Sequence, residues 1–261
     1  MDVRMDGRGA IITGGSRGLG RAMAMRFAES GANVAIVARR EDVLAATKAE
    51  IEAAAPSAKV IACVADVSTA DGVESAFKRA IDGLGQVDIV VNNAGSSMAR
   101  PFEEVTDEMW RDDLELKLFG AIRMIRLALP GMKERGWGRI INILNTGAKS
   151  PRAGSTPTTV SRAAGLNLTK SLSLEYAPDG ILVNALCTGL IVTDQLEKMR
   201  DRGAPEKSME EYQELLGGRI PLGRMGTAEE YANVACLLAS DAGGYVTGTA
   251  INIDGGSSPA T

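Results

Sequence analysis

Seven short runs of almost uninterrupted apolar residues recur along the chain, separated by longer stretches in which apolar positions return every three or four residues. The runs cover residues 9–13, 33–38, 59–64, 87–92, 139–144, 181–186 and 250–253. Strands with this pattern are covered on both faces. Helices are predicted between them at 21–30, ending at Gly31, at 41–55, stopping before Pro56, and at 72–83. The longest helical stretch spans 107–135, where Pro130 and Gly131 are expected to break or kink it. Repeated β-α-β units imply a parallel sheet with helices on both faces. The prediction is an α/β fold: one doubly wound, Rossmann-type domain over residues 1–261, with a parallel sheet of about seven strands. Residues 188–225 interrupt the alternation with charged helical pieces, and a substrate loop or lid is expected there.

Composition narrows the picture. The 261 residues include 30 glycines and few aromatics, which suits many tight strand-to-helix turns. The net charge of -4, with both signs interspersed, gives no electrostatic reason to expect nucleic acid or an anionic membrane as partner. No apolar run reaches the ~20 residues of a membrane span, and no charged-then-apolar leader opens the chain. Cys63, Cys187 and Cys236 are widely spaced and read as small buried hydrophobes. Only Cys187, in an expected active-site loop, is placed where its thiol could matter. A disulfide framework or metal site is not expected, and a cytoplasmic location fits. The chain has no histidine, so imidazole plays no part in its chemistry.

The first strand runs into Thr13-Gly14-Gly15-Ser16-Arg17-Gly18-Leu19-Gly20, followed by a helix. Strand, glycine turn and helix N-terminus together form an anion site, because glycines let the backbone approach a pyrophosphate and free N–H groups point toward it. An acidic residue after the second strand would bind the ribose hydroxyls of NAD; this chain has Ala38, Arg39 and Arg40 there, and Arg17 within the turn. Arginine matches a phosphate with paired N–H donors, so NADP(H) is expected over NAD(H).

TGGSRGLG resembles the glycine motif of the short-chain dehydrogenase/reductase family, and the resemblance extends over the whole chain. Asn92-Asn93-Ala94-Gly95 is similar to the family's NNAG motif, and Asp66-Val67 to its adenine contact. GRIINI at 138–143, LTKSLSLEYAP at 168–178 and VTGTAINIDGG at 246–256 resemble its fifth strand, long helix and C-terminal strand. The resemblance implies cofactor contacts at Gly14, Ser16, Arg17, Gly18, Leu19, Gly20, Arg39, Arg40, Asp66, Val67, Asn93, Ala94 and Gly95. It adds Arg162, Gly189, Ile191 and Thr193 to that set, and implies a homotetramer or homodimer acting on a small molecule.

The same alignment implies a catalytic frame with unfamiliar side chains. Asn145 stands where the family has serine, Thr158 where it has tyrosine, Arg162 where it has lysine, and Lys117 where it has the helix asparagine. Thr188-Gly189 replaces the usual Pro-Gly. None of Tyr176, Tyr212, Tyr231 and Tyr245 is followed by lysine four residues later. A threonine hydroxyl donates a hydrogen bond but hardly loses its proton, and arginine stays protonated. Asn145 retains an N–H donor able to orient a carbonyl. Lys117 has two readings, a relocated cation or an i,i+4 ion pair with Asp113, the second being the simpler. Lys149 and Tyr212 are further candidates for facing the pocket, with surface placement the simpler expectation. The expected function is an atypical NADP(H)-dependent oxidoreductase acting on an activated C=N or C=C bond. A lyase, isomerase or hydrolase on the same scaffold, or an inactive NADPH-binding protein, remain alternatives at this level.

Overall fold

A computed structural model describes residues 3–261, apart from the side chains of Gln195, Lys198 and Arg202. Its centre is a seven-stranded parallel sheet: β1 (Gly9–Thr13), β2 (Asn33–Ala38), β3 (Val60–Val64), β4 (Ile89–Asn92), β5 (Gly138–Asn145), β6 (Ile181–Thr188) and β7 (Ala250–Ile253). The strand order is β3-β2-β1-β4-β5-β6-β7, every neighbouring pair parallel. The order in which the chain adds strands reverses between β1 and β4. A crevice opens at such a switch point, outside the carboxyl ends of the strands.

The strands form where they do because alternate residues feed two apolar layers. On one side Ala10, Ile12, Val34 and Ile36 meet Met23 and Phe27 of α1 (Gly18–Glu29), Leu44 and Ile51 of α2 (Glu41–Ala54), and Tyr231 and Ala235. On the other Ile11, Ala35 and Val37 meet Val73 and Ala76 of α3 (Ala70–Leu84) and Met124 and Met132. β5 and β6 each run past the predicted ends, so that polar Asn145 and Thr188 finish the strands side by side at the crevice.

The long helical stretch differs from the prediction. It consists of α4 (Asp107–Leu114), a π-helical turn at Glu115–Phe119, and α5 (Gly120–Arg135). Pro130 does not break α5. It sits on the exposed face of the helix, four residues after exposed Arg126, whose carbonyl is the one a proline at 130 leaves without an intrahelical partner. The irregularity falls instead at the π turn. Gly120 follows that turn where the chain leading into α3 comes close, since a Cβ there would stand 2.6 Å from the Val67 carbonyl oxygen. π turns are rare and occur mostly at functional sites; this one carries Lys117.

After β5 come α6 (Thr158–Tyr176) and β6, then α7 (Gln195–Gly203), α8 (Met209–Gly217) and α9 (Ala228–Ala239). α7 and α8 have a small core of their own, built from Leu196, Ala204, Tyr212, Leu216, Ile220 and Met225. Among the described residues no helix is long and apolar enough to cross a membrane.

Candidate active site

Two joined cavities occupy the crevice. The smaller, about 490 Å³, lies over the glycine turn; the larger, about 840 Å³, lies over the ends of β5 and β6. Leu19, Asn93, Gly95, Thr188, Gly189 and Leu190 line both, so one runs into the other.

The glycine turn is locked from beneath. Thr13 Oγ1 accepts from the backbone N–H groups of Asn93 (2.9 Å) and Ala94 (3.0 Å), while Asn93 Nδ2 donates to the carbonyls of Thr13 (2.9 Å) and Gly14 (3.2 Å). This close approach leaves no room for a side chain at Gly14, whose φ is +65° and where a Cβ would lie 2.9 Å from Asn93 Nδ2. No side chain caps the start of α1 and no acid occupies its first turn, so its N–H groups face the smaller cavity unpaired with protein acceptors. Gly14, Ser16, Arg17, Gly18, Leu19, Arg39, Arg40, Asn93, Ala94, Gly95, Gly189, Ile191 and Thr193 all line that cavity.

Three of the sequence-derived positions sit elsewhere. Gly20 is buried and serves the packing of α1, because a Cβ would fall 2.2 Å from the Gly14 carbonyl oxygen. Val67 is buried, and Asp66 accepts from the Ser68 backbone (3.0 Å) and hydroxyl (2.8 Å) while its other oxygen stands 3.7 Å from Arg39. Neither lines either of these two cavities.

Asn145, Thr158 and Arg162 are brought together on the larger cavity, although thirteen to seventeen residues of chain separate the first from the others. Lys117 reaches them from below. Its side chain is 1% exposed and pairs with Asp113, which is fully buried; its ammonium also donates to Thr158 Oγ1 at 3.2 Å. The expected i,i+4 ion pair with Asp113 is thus present, and the same ammonium also reaches Thr158. Thr158 Oγ1 accepts a second bond from the Met98 backbone N–H at 2.9 Å, which leaves its own proton free to donate. Ser161 Oγ donates to the other Asp113 oxygen at 2.6 Å. Burial, reinforced by the charge of Arg162 and opposed by the bond to Asp113, lowers the Lys117 pKa to about 8. Arg162 Nη1 donates to the Ile143 carbonyl at 2.5 Å, and burial pulls its pKa below the usual arginine value. Gly95 has to be glycine to admit this guanidinium, since a Cβ would meet Arg162 Nη2 at 2.5 Å. Asn145 Oδ1 and Arg162 Nε are buried without a protein partner.

No tyrosine lines either cavity. Tyr231 is completely buried, bonded to Thr188 Oγ1 at 2.8 Å, and burial pushes its phenol well above the usual range. Tyr212 belongs to the small core of α7 and α8 and does not face the cavity. Lys149 is turned into β7, where it donates to the Ala250 carbonyl (2.5 Å) and Asn252 Oδ1 (2.7 Å). Cys187 is a buried residue of β6 rather than of a loop, and burial pushes its thiol up. Sequence reasoning missed Ser161, which shares a helix face with Thr158 three residues earlier. It also missed Ser257 and Ser258 on the cavity wall, held by bonds from the Gly256 (3.0 Å) and Ser258 (2.7 Å) backbones to Asp254.

A family model described as Enoyl-(Acyl carrier protein) reductase matches residues 14–258. The chain belongs to the short-chain dehydrogenase/reductase family. It is an oxidoreductase of that family, with the family's Rossmann-type fold. The acetoacetyl-CoA reductase of Rhizobium meliloti is 36% identical over 249 residues, covering 95% of this chain and 98% of that protein. The L-sorbose reductase of Gluconobacter frateurii, solved with NADPH and L-sorbose, superposes over all of both chains with a TM-score of 0.95 at 32% identity. A short chain oxidoreductase of Pseudomonas aeruginosa PAO1, described as containing an atypical catalytic center and solved with NADPH bound, is 33% identical with a TM-score of 0.91 over 99% of each chain. This family member thus carries Asn145, Thr158 and Arg162 on the wall of one cleft, with Lys117 buried behind Thr158.

Proposed function

We propose that this short-chain dehydrogenase/reductase is an NADP(H)-dependent reductase of an activated C=N or C=C bond, working without a tyrosine proton donor. The observation that carries the reading is Thr158 on the cavity wall, its hydroxyl accepting from the buried ammonium of Lys117. NADPH in the Gluconobacter and Pseudomonas relatives supports the choice of cofactor. When bound, the reduced nicotinamide supplies a hydride. The uncapped start of α1 holds the pyrophosphate, and Gly14, Ser16 and Gly18 let it approach. Arg17, Arg39 and Arg40 line the same cavity and match a 2′-phosphate. Asp66 remains the candidate adenine contact, beside Val67, and Arg162 the candidate ribose contact.

The substrate class follows from acidity. Hydride addition to an iminium carbon yields a neutral amine and calls for no proton. Addition to a C=C bond conjugated with a carbonyl places charge on that oxygen. Asn145 Nδ2, the Thr158 hydroxyl and the Arg162 guanidinium then form a donor set for it, fixed before the reaction begins. An unactivated ketone develops a full alkoxide, for which threonine is too weak an acid. Residues 188–225 act as the lid over this substrate, with Leu216, Arg219 and Ile220 on its inner face.

Fluorescence titration tests the cofactor half of the reading. NADPH is expected to bind about 10–100-fold more tightly than NADH, and Arg39→Ala with Arg40→Ala together to erase the difference by removing charge-assisted bonds of roughly 1.5–3 kcal/mol. Equal affinity in the wild-type protein counts against NADP(H). Absorbance assays with enones and imines test the other half. Restoring Asn145→Ser, Thr158→Tyr and Arg162→Lys together is expected to bring out ketone reduction.

A further inference from the structure

Among the described residues the 840 Å³ cavity is lined by three arginines and by no aspartate or glutamate, in a chain that carries 33 acidic residues. Arg162 lies at its floor. Arg152 projects from the connection between β5 and α6, and Arg219 from the segment after α8. Arg152 and Arg219 are exposed, yet neither side chain has a carboxylate within ion-pair distance or a hydrogen-bond acceptor among the described residues. Most other arginines of the chain have one: Arg21 holds Glu50 at 2.6 Å, Arg135 holds Asp88 at 2.8 Å and Arg224 holds Glu230 at 2.6 Å. The remaining polar lining is hydroxyl and amide, which donates to an anion and does not repel it.

We propose that this cavity selects a small anionic substrate, whose carboxylate or phosphate pairs with Arg152 and Arg219 while its reacting carbon lies over Asn145, Thr158 and Arg162. A guanidinium binds either oxyanion through two parallel N–H bonds. Two such side chains from separate connections, with no internal carboxylate to compete, concentrate positive potential inside a low-dielectric cleft. Each alone, exposed to water, contributes little; convergence on one ligand gives discrimination. The placement of the reacting carbon rests on the reductase reading, whereas the anion preference does not.

The test is calorimetric titration of the NADPH-saturated protein, in which the cofactor already occupies the glycine turn, with crotonate, crotonamide and inorganic phosphate. Crotonate or phosphate is expected to bind at least about tenfold more tightly than the uncharged amide, with an advantage that shrinks as salt rises. Whichever anion binds more tightly identifies the headgroup. Arg152→Gln with Arg219→Gln, both at exposed positions, is expected to abolish the advantage while NADPH affinity stays unchanged. Equal binding of crotonate and crotonamide, an undiminished advantage in the double variant, or no binding of either anion at millimolar concentration overturns the proposal. If NADPH itself does not bind, the reductase reading fails. The crotonate and crotonamide comparison on the cofactor-free protein still decides the anion preference.

Discussion

Replacing Lys117 with methionine is expected to slow NADPH oxidation by about tenfold, because Lys117 does not meet the substrate and acts only through the Thr158 hydroxyl. Lys117 does not reach the cavity itself. It acts by donating to Thr158 Oγ1, so that the threonine hydroxyl is polarised by a positive charge. The loss should therefore fall on kcat, with little change in NADPH affinity. The same arrangement sets a pH dependence. Burial, moderated by Asp113 and reinforced by Arg162, lowers the Lys117 pKa to about 8. The ammonium is present below that value and lost above it, so the wild-type rate should decline as pH rises through about 8. The K117M rate should be flat there. A wild-type profile without that decline would separate Lys117 from the chemistry, even if the variant proved unstable.

Asp113→Ala is expected to destabilise the fold by about 3–5 kcal/mol, because it strands the ammonium of Lys117 without a counter-charge. Asp113 has no solvent exposure, and it joins α4 to α6 by accepting from Lys117 and, at 2.6 Å, from Ser161 Oγ. In a chain of this size such a loss lowers Tm by roughly 10 °C. Adding Lys117→Met to Asp113→Ala should recover part of it, since the stranded charge is then gone; the two changes are coupled and not additive. Thermal unfolding of the two single variants and the double variant checks this. A drop below about 1 kcal/mol in D113A would mean that the pair is as weak as a solvent-screened one.

The sheet was largely legible in the sequence because strands covered on both faces must be apolar throughout. β1, β2 and β7 begin and end where the apolar runs do. β5 and β6 extend further because their last residues, Asn145 and Thr188, are polar groups presented to the crevice and so break the pattern that marks a strand. The glycine turn was legible for a steric reason: Asn93 comes so close that Gly14 has no alternative. The π turn was not legible, since a shift from i→i+4 to i→i+5 bonding leaves no mark on composition. Pro130 misled because a proline on the exposed face of a helix removes one N–H without ending it, and α5 runs on to Arg135. The link from Lys117 to Thr158 spans 41 positions and is created by the packing of α6 on the π turn. Arg152 and Arg219 lie in irregular connections, where charge is the ordinary composition of a surface, and only the cavity between them gives it meaning.

The most direct measurement follows nicotinamide absorbance when NADPH is mixed with an activated enone, a preformed iminium salt and a simple ketone, using the wild-type protein and Thr158→Val. NADPH should be consumed with the enone or the iminium and not measurably with the ketone, and T158V should slow the enone reaction by at least about tenfold. Turnover of the ketone alone, at a rate indifferent to T158V, would contradict a reductase built on the Thr158 hydroxyl.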